Sequence, residues 1–380
     1  MKKIICTVTN DLNFDQRMIR VCTSLSQAGY DVQLIGRKLS YSQDLFEQPY
    51  RQKRFKLIFN KGKIFYLEFN IRLFFYLMFE QFDAVCSIDL DTLLAGYLAS
   101  KIKKRKIIYD AHEYFTEVPE VVERPITKGV WEALANFIIP RLKFNYTVST
   151  SIAAEFQKKY NTRFSVILNV PFRKRIESNI DFEEHEFPFS QHAKFQKNNL
   201  FILIYQGVLN EGRGLEEMIE AMEEIDGAVL WLAGEGDISE ILRKLVDEKK
   251  LQEKVIFFGR VAPGSLHKLT VRANLGLNLL KNKGLNYYFS LANKTFDYMQ
   301  AGIPSICMDF PEYKQINEKY STFYLLKSLS KKDIVAAVNK LRDDNEYYID
   351  KCKNARMAAK VFNWEKEETK LIEFYRKVFE

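Results

Sequence analysis

Several features that other classes of protein depend on are missing from this chain of 380 residues. It has no stretch of about 18 uninterrupted apolar residues, so no membrane-spanning helix is expected. The N-terminus turns polar after five residues, which is too short for the apolar region of a secretory signal. The five cysteines lack metal-type spacing, and Cys6, Cys86 and Cys307 stand in apolar runs typical of buried reduced thiols. These absences predict a cytoplasmic protein.

The chain also lacks an internal repeat, a low-complexity tract and any recognised nucleic-acid module, so nucleic acid is not an expected partner. Its composition, with 47% hydrophobic and 28% charged residues, is that of a folded protein with substantial cores. The length fits two domains of roughly 150–200 residues each.

The net charge of +8 is unevenly distributed. Between Arg51 and Arg72, seven Lys or Arg stand against one Glu and are interleaved with Phe and Tyr. A second basic cluster spans Lys101–Lys106. One interpretation is a solvated rim around helix ends. The other is a surface that docks on anionic lipid headgroups, which would hold the protein peripherally on the inner face of a membrane.

Short apolar runs alternate with helix-length segments along both halves of the chain. This alternation predicts an α/β protein with two doubly wound parallel sheets, each covered by helices on both faces. The helices predicted in the first half include Asp15–Ala28 and Asp91–Lys103, and the predicted strands are Lys3–Val8, Val32–Ile35, Phe55–Phe59, Ala84–Ile88, Lys106–Tyr109, Tyr146–Ser149 and Ser165–Leu168.

The pattern lapses after Pro171 and resumes at Leu200, which predicts a connection between two domains. In the second half, helices are expected from Leu215 and near Ser239–Lys249, and strands at Leu200–Tyr205, Ala228–Ala233, Val255–Phe258, Leu275–Leu279 and Pro304–Met308. We therefore divide the chain into a first domain (1–170), a connection (171–199), a second domain (200–362) and a C-terminal amphipathic helix (363–380).

The segment Asn286–Pro304 carries the most chemical information. A polar loop leads to a helix start at Asn293 and Lys294, with Asp297 one turn later. A loop-to-helix junction with a lysine suits a phosphate, because free backbone amides and the helix dipole both favour an anion. Lys294 could alternatively be a solvated residue at a helix start. A carboxylate at Asp297 is in a position to bind ribose hydroxyls.

A glycine-rich turn, Tyr205–Leu215, follows the first strand of the second domain. Gly207 and the later glycines allow the backbone to approach a ligand, and Arg213 offers a planar fork for a diphosphate. Such a turn is by itself a weak signal. The next strand ends in Leu232–Asp237, which fits a tight turn equally well.

In the first domain, the polar run Tyr109–Pro119 follows a strand, so His112 is expected at the ligand-binding edge of the sheet. Glu113 and Glu117 are either solvated or bind acceptor hydroxyls. Asp89 and Asp91 suggest a metal pair, but they lack further ligands, and Asp91 is interpreted as a helix N-cap.

These motifs resemble the family-four retaining glycosyltransferases of the GT-B fold, most clearly in residues 83–119 and 205–310. The resemblance implies two Rossmann-like domains facing a central cleft, with the C-terminal helix crossing back to the first domain. It assigns the donor diphosphate to Arg213 and Lys294, the ribose to Asp297, and the donor sugar to His112. Further donor contacts are implied at Gly207, Arg260, Val261, Ser290, Leu291, Ala292 and Asn293, and acceptor contacts at Asn10, Asp11, Arg17 and Glu113.

The sequence departs from the family pattern at two positions. Counting back from Asp297, Phe289 stands where the family has the first Glu of its two-glutamate signature, and Asp297 replaces the second. Val208 stands where the family commonly has the earlier basic residue of the phosphate loop. We expect the backbone amides of residues 290–292 to substitute for the missing Glu, and Lys294 for the missing cation.

The resemblance implies transfer of a sugar from a nucleoside diphosphate sugar to a glycan or lipid-linked acceptor, with retained anomeric configuration. It implies neither a cofactor nor a metal, since the nucleotide-sugar is itself a substrate. Two alternatives remain open at this point. A UDP-GlcNAc 2-epimerase shares the fold but needs dedicated acid and base groups. A non-catalytic partner subunit would account for the missing Glu.

Overall fold

The computed structural model describes residues 1–174 and 200–380, which form two compact units. The first unit comprises Met1–Asn169, Gly284–Asn286 and Lys366–Glu380. The second comprises Val170–Lys283 and Tyr287–Glu365. Most of the predicted connection, residues 175–199, lies outside the described residues.

The first unit is built on a seven-stranded parallel sheet with the order β3-β2-β1-β4-β5-β6-β7. The chain moves outwards from β1 in one direction to β3 and then in the other direction to β7, which is the doubly wound arrangement. The strands are β1 (Lys3–Thr7), β2 (Asp31–Lys38), β3 (Arg51–Lys56), β4 (Ala84–Ile88), β5 (Lys106–Ala111), β6 (Phe144–Thr147) and β7 (Ser165–Val166).

The helices of the first half cover both faces of this sheet. They are α1 (Gln16–Gln27), α2 (Gly62–Phe79), α3 (Asp89–Ile102), α4 (Pro119–Val122), α5 (Pro125–Ile138) and α6 (Thr150–Tyr160).

The second unit has a six-stranded parallel sheet with the order β10-β9-β8-β11-β12-β13. Its strands are β8 (Phe201–Gln206), β9 (Ala228–Ala233), β10 (Val255–Gly259), β11 (Leu275–Asn278), β12 (Ser305–Met308) and β13 (Phe323–Leu326). The helices of the second half are α7 (Leu215–Ala221), α8 (Ser239–Glu248), α9 (Pro263–Thr270), α10 (Leu285–Tyr288), α11 (Asn293–Ala301), α12 (Pro311–Tyr320), α13 (Lys331–Asp343), α14 (Asn345–Ala359) and α15 (Trp364–Phe379).

The central strands are mostly apolar and largely buried because helices cover both faces of each sheet. All five residues of β4 and all six of β9 are buried. In the first unit, Phe69 and Leu73 of α2 pack with Ile5 and Val85 of the sheet. In the second unit, Trp231 is buried in the cluster beneath α9 and α11.

The sequence predicted the fold class correctly and several strands closely. Ala84–Ile88 and Ala228–Ala233 match β4 and β9 residue for residue. The predicted strand Phe55–Phe59 is wrong in position, since β3 spans Arg51–Lys56. The interpretation of Asp91 as an N-cap is also wrong, because α3 begins two residues earlier, at Asp89.

Several elements were not predicted, among them β13 and α2. The strand β13 completes the second sheet beside β12. The helix α2 was missed because apolar residues occur on all of its sides and leave no helical periodicity to recognise. Within residues 1–174 and 200–380, no helix is long and apolar enough to cross a membrane.

Candidate functional site

The loop between β8 and the start of α7 contains two positions that require glycine. Gly207 and Gly214 both have positive φ angles, 127° and 67°. A Cβ atom on Gly214 would lie 2.2 Å from the carbonyl oxygen of Leu279, so a side chain cannot fit there. The loop is thereby held close to β11, with Arg213 immediately before the helix.

Arg213 presents a cation that has no carboxylate partner within the described part of the chain. Its guanidinium carbon lies 4.9 Å from the centre of the Tyr287 ring. Its Nε is buried and makes no hydrogen bond to any described residue. A buried donor without an acceptor costs free energy, which an incoming anion would recover.

Lys294 lies in the first turn of α11 and turns towards the same loop. Its Nζ is 3.7 Å from the centre of the Tyr205 ring. It is also 3.6 Å from where a Cβ of Gly207 would stand, so the lysine covers that glycine. Burial lowers the pKa of Lys294 well below its ordinary value, and the positive charge of Arg213 lowers it further. Two cations predicted to bind phosphate thus influence one another across a single site.

Asp297 stands one turn beyond Lys294 and is oriented by a glutamine that the sequence did not single out. Gln206, the last residue of β8, donates from Nε2 to Asp297 Oδ2 at 2.9 Å. Its Oε1 accepts from Thr270 Oγ1 at 2.7 Å. Because both the nitrogen and the oxygen of its amide are hydrogen-bonded, Gln206 fixes the position of Asp297, the residue predicted to bind the ribose.

The loop expected to replace the missing Glu uses part of its hydrogen-bonding capacity internally. The amide of Ser290 donates to Tyr287 O at 3.3 Å, and the amide of Ala292 donates to Tyr313 Oη at 2.9 Å. The amide of Leu291 has no acceptor among the described residues. Of the three amides predicted to contact the donor, only that of Leu291 is open in this structure.

Phe289 belongs to an aromatic cluster rather than to a polar one. Its ring lies 5.1 Å from that of Tyr288, which in turn lies 5.2 Å from that of Phe310. Where the resemblance leads one to expect a carboxylate, the chain has apolar rings. Asn293, the first residue of α11, is exposed beside them.

The ends of β9 and β10 complete this edge of the second sheet. A Cβ on Gly234, after β9, would lie 1.8 Å from the carbonyl oxygen of Gly207, so the tight turn there supports the phosphate loop. Arg260 and Val261, predicted to contact the nucleotide base, follow β10 directly. Arg260 is exposed and Val261 is half-buried.

In the first unit, His112 is held by a buried ion pair. Its Nε2 lies 2.9 Å from Oδ2 of Asp110, the carboxylate two residues earlier on β5. The other oxygen of Asp110 accepts from Arg17 Nη2 at 3.2 Å. Arg17 also donates to the carbonyl oxygen of Ile167 at 3.2 Å. The sequence did not identify Asp110, which is fully buried and bonded to both cations.

The charges of this network stabilise one another. Burial alone would lower the pKa of His112, but the negative charge of Asp110 outweighs it, and the pKa is raised above 6.5. Burial alone would raise the pKa of Asp110, but Arg17 and His112 hold it below its ordinary value. Asp110 therefore stabilises the imidazolium form of His112 relative to a free imidazole. With Nε2 bonded to Asp110, Nδ1 is the nitrogen that remains to meet a ligand.

The two aspartates at the start of α3 anchor neighbouring loops. Asp89 has a φ of 55°, and its Oδ1 accepts from the amides of His112 (2.8 Å) and Glu113 (3.2 Å). Asp91 accepts from Thr9 Oγ1 at 2.6 Å, and burial raises its pKa to about 6. Among the described residues, no group of three or more His, Cys, Asp or Glu is arranged to hold a metal ion.

The four residues predicted to contact the acceptor differ in accessibility. Asp11 forms an almost buried ion pair with Arg54 at 3.2 Å, and Arg17 is only 3% exposed. Both side chains are thus committed to internal structure. Asn10 and Glu113 are exposed. We therefore interpret Arg17 as a residue that positions His112 through Asp110.

Two family models match the sequence, one in each half of the chain. The model of Glycosyltransferase Family 4 matches residues 16–170, and the model of Glycosyl transferases group 1 matches residues 187–361. A search of curated proteins found no significant match.

Solved structures similar to this fold cover almost all of the chain. Sucrose-phosphate synthase from Thermosynechococcus elongatus has a TM-score of 0.82 at 16% identity, covering 100% of this chain and 99% of its own. Anabaena HepE in complex with UDP-glucose has a TM-score of 0.75 at 14% identity, covering 99% and 100%. WaaG, a glycosyltransferase involved in lipopolysaccharide biosynthesis, has a TM-score of 0.70 at 14% identity, covering 98% of both chains. The chain belongs to the group 1, family 4 glycosyltransferases of the GT-B fold, which use nucleotide-sugar donors.

Proposed function

We propose that the enzyme transfers a sugar from a UDP- or GDP-sugar to a glycan or lipid-linked acceptor, with retention and without a metal. The donor diphosphate binds to Arg213 and Lys294, and the ribose binds to Asp297. HepE, one of the similar structures, is described in complex with UDP-glucose, which supports UDP as the nucleotide, and GDP is the alternative.

The observation that carries this proposal is the pair of cations, Arg213 and Lys294, for which the described residues offer no carboxylate partner. A departing nucleoside diphosphate gains negative charge, and fixed positive groups aimed at that charge are usually the largest single catalytic contribution. Here Arg213 and Lys294 are already held against the rings of Tyr287 and Tyr205. The developing charge is met without a metal and without reorganisation of these side chains.

His112 is proposed to contact the donor sugar. Asp110, itself held in place by Arg17, keeps the imidazole in one orientation, and its negative charge raises the pKa of His112. A protonated Nδ1 then donates a hydrogen bond to a sugar hydroxyl. In the proposed same-face reaction, the departing phosphate takes the acceptor proton, so no enzyme nucleophile is needed.

A lipid-linked acceptor is the more specific form of the proposal. WaaG, one of the similar structures, is described as acting in lipopolysaccharide biosynthesis. The protein would then work as a cytoplasmic enzyme held at the inner face of a membrane.

Thermal shift and calorimetry with nucleotides, in buffer containing EDTA, test the donor site. UDP or GDP at a hundred times its Kd should stabilise the enzyme by about 2.7 kcal/mol. Arg213→Ala should lose most of this stabilisation. Arg342→Ala, which removes a guanidinium from the outer helix α13 of the same unit, serves as the matched control and should keep it.

Incubation with the donor alone distinguishes transfer from epimerisation. A glycosyltransferase should release nucleotide slowly and leave the sugar configuration intact, whereas an epimerase would produce the epimer of UDP-GlcNAc. Lack of stabilisation by any nucleotide, or a strict requirement for a divalent metal, would contradict the proposal.

A further inference from the structure

The helix α2 is apolar both where it is buried and where it is exposed. Phe65, Phe69, Leu73 and Leu77 face the core of the first unit. On the opposite side, a single stripe of large apolar side chains is 48% to 86% exposed: Ile64, Leu67, Ile71, Phe75 and Phe79. A helix that is apolar all round is normally covered on all sides. Here one side is covered by the protein and the other is not.

The two neighbouring helices extend this exposed apolar surface. Right-handed crossovers place α2, α3 and α5 on the same face of the sheet, because β3 to β4, β4 to β5 and β5 to β6 all progress in one direction. Ring contacts link the helices, Tyr66 with Trp131 at 5.4 Å and Tyr97 with Phe137 at 6.4 Å. The exposed apolar residues of α3 and α5 are Leu94, Leu98, Ile102, Ile126, Val130 and Phe137.

The exposed charges on these three helices are all positive. Lys63 on α2 and Lys101 on α3 are exposed, Arg72 on α2 is exposed but forms an ion pair with Glu68 at 2.8 Å, and α5 has no exposed charged residue. The acidic residues of the three helices are at least partly buried. Glu68, for example, accepts from the amides of Ile58 and Phe59. The surface therefore combines a broad apolar area with positive charge.

The basic residues of β3 contribute less to this surface than the sequence suggested. Arg51 and Arg54 form ion pairs with Asp31 and Asp11, and they lie on the edge strand of the sheet. Lysines and arginines are common on edge strands, which they protect from pairing with other chains. The charges relevant to a lipid surface are those beside α2 and α3.

We propose that the outer face of α2, α3 and α5 rests on an anionic lipid bilayer, with the apolar stripe inserted at the boundary between headgroups and acyl chains. The exposed lysines contact lipid phosphates at the rim of the inserted area. The described helices do not span a membrane, so the protein lies on one leaflet. The inference rests on the proposed function only in that a lipid-linked acceptor would be reached from this surface.

Flotation with lipid vesicles tests this surface directly. The full chain should float with vesicles of phosphatidylcholine and phosphatidylglycerol, and only weakly with phosphatidylcholine alone. The triple variant Leu67→Glu, Ile71→Glu, Phe75→Glu should reduce the partition coefficient at least about tenfold. Lys63→Glu with Lys101→Glu should reduce binding only to the anionic vesicles.

The matched control is a triple variant in which glutamate replaces three exposed apolar residues of the second unit. Ile241→Glu, Ile349→Glu and Val361→Glu replace side chains that are 45% to 58% exposed, and binding to vesicles should be unchanged. All variants are checked for wild-type thermal stability and for the UDP-induced shift. Because that shift is measured without lipid, failure of the donor site and failure of the membrane surface are distinguishable.

A second measurement does not depend on multiple charged substitutions. In Phe75→Trp, vesicles containing brominated phosphatidylglycerol should quench the new fluorescence, whereas Ile241→Trp should be unaffected. Absence of wild-type binding to anionic vesicles overturns the proposal. It is also overturned if the wild type is a dimer without lipid and the α2 variant is a monomer, since the face would then bind protein.

Discussion

Both units hold two cations at the edge of a parallel sheet, but only one unit neutralises them. In the first unit, Arg17 and His112 share the carboxylate of Asp110, with both oxygens engaged. In the second unit, Arg213 and Lys294 lie against tyrosine rings, and no carboxylate pairs with either among the described residues. The cations of the first unit already have an anionic partner. Those of the second unit would gain one only from a bound anion.

We interpret the first pair of cations as a group that positions a side chain and the second as the proposed anion-binding site. A buried cation that is paired and hydrogen-bonded is held in one place, and removing its partner is costly. A cation pressed against another cation has a lowered pKa and gains from any anion that enters. We therefore expect substitutions in the first unit to affect stability most, and substitutions in the second to affect ligand binding most.

The largest effect is expected for Asp110→Ala, which would leave Arg17 charged, buried and without its carboxylate. The cost should be about 3–5 kcal/mol in the free energy of unfolding. Asp31→Ala is the matched control, because it breaks an Arg–Asp pair in the same sheet that is largely exposed, and should cost at most about 1 kcal/mol. Urea unfolding followed by circular dichroism measures both. Equal losses in the two variants would show that the buried pair has no special role.

Lys294→Met is expected to weaken ligand binding without lowering stability, the reverse of Asp110→Ala. Without ligand the variant should be as stable as wild type or more so, because it removes a buried charge that repels Arg213. UDP or GDP should bind roughly a hundredfold more weakly, about 3 kcal/mol, through loss of a charged hydrogen bond.

Lys351→Met provides the comparison for Lys294 within the same unit. Lys351 is 4% exposed, and its Nζ donates to Phe323 O at 2.9 Å and to Ser321 Oγ at 3.1 Å. Its loss should lower stability and leave nucleotide affinity unchanged. If the two lysine variants behave alike in thermal denaturation and calorimetry, the distinction between paired and unpaired cations fails.

The pH dependence of stability should reveal the charge on His112. Its pKa is raised in the folded state, so its contribution is fully present below the unfolded value near 6.5 and is lost as pH rises through the folded value. The free energy of unfolding of wild type should therefore fall with pH just above 6.5. In His112→Gln this part of the slope should disappear in urea titrations at a series of pH values. A slope unchanged by the substitution would mean that the imidazole is neutral.

The elements of this fold were largely readable from the sequence because buried parallel strands are continuous apolar runs. Strands such as β4 and β9 could therefore be bounded to the residue. The helix α2 was not predicted because helical periodicity is recognised by an apolar face opposite a polar face, and α2 has apolar residues on both faces. Asp91 was misassigned because its neighbour Asp89 adopts a positive φ to reach the amides of β5's loop, a tertiary interaction with no local signal.

The cations of the site could be named from motifs, but their partners could not. Arg213 and Lys294 stand beside glycines and a helix start, which are visible in the sequence. Asp110 and Gln206 are ordinary residues at strand ends, and their importance depends on contacts with residues 93 and 91 positions away. The motif Tyr109–Pro119 contained Asp110, yet only its burial between two cations identifies its role.

The smallest effect is expected for Gln206→Met, which divides the second unit's site into its electrostatic and hydrogen-bonded parts. The substitution removes the hydrogen bond that orients Asp297 and should cost about 1 kcal/mol of stability. If Asp297 binds the ribose, affinity for UDP should fall about fivefold while affinity for pyrophosphate, which has no ribose, stays the same. Gln300→Met removes a buried glutamine from α11, the helix that carries Asp297. The Nε2 of Gln300 donates to Ala359 O of α14, so the substitution should lower stability without changing the ratio of the two affinities. A parallel loss of UDP and pyrophosphate binding in Gln206→Met would instead mean that the glutamine supports the cations, and that the site cannot be divided in this way.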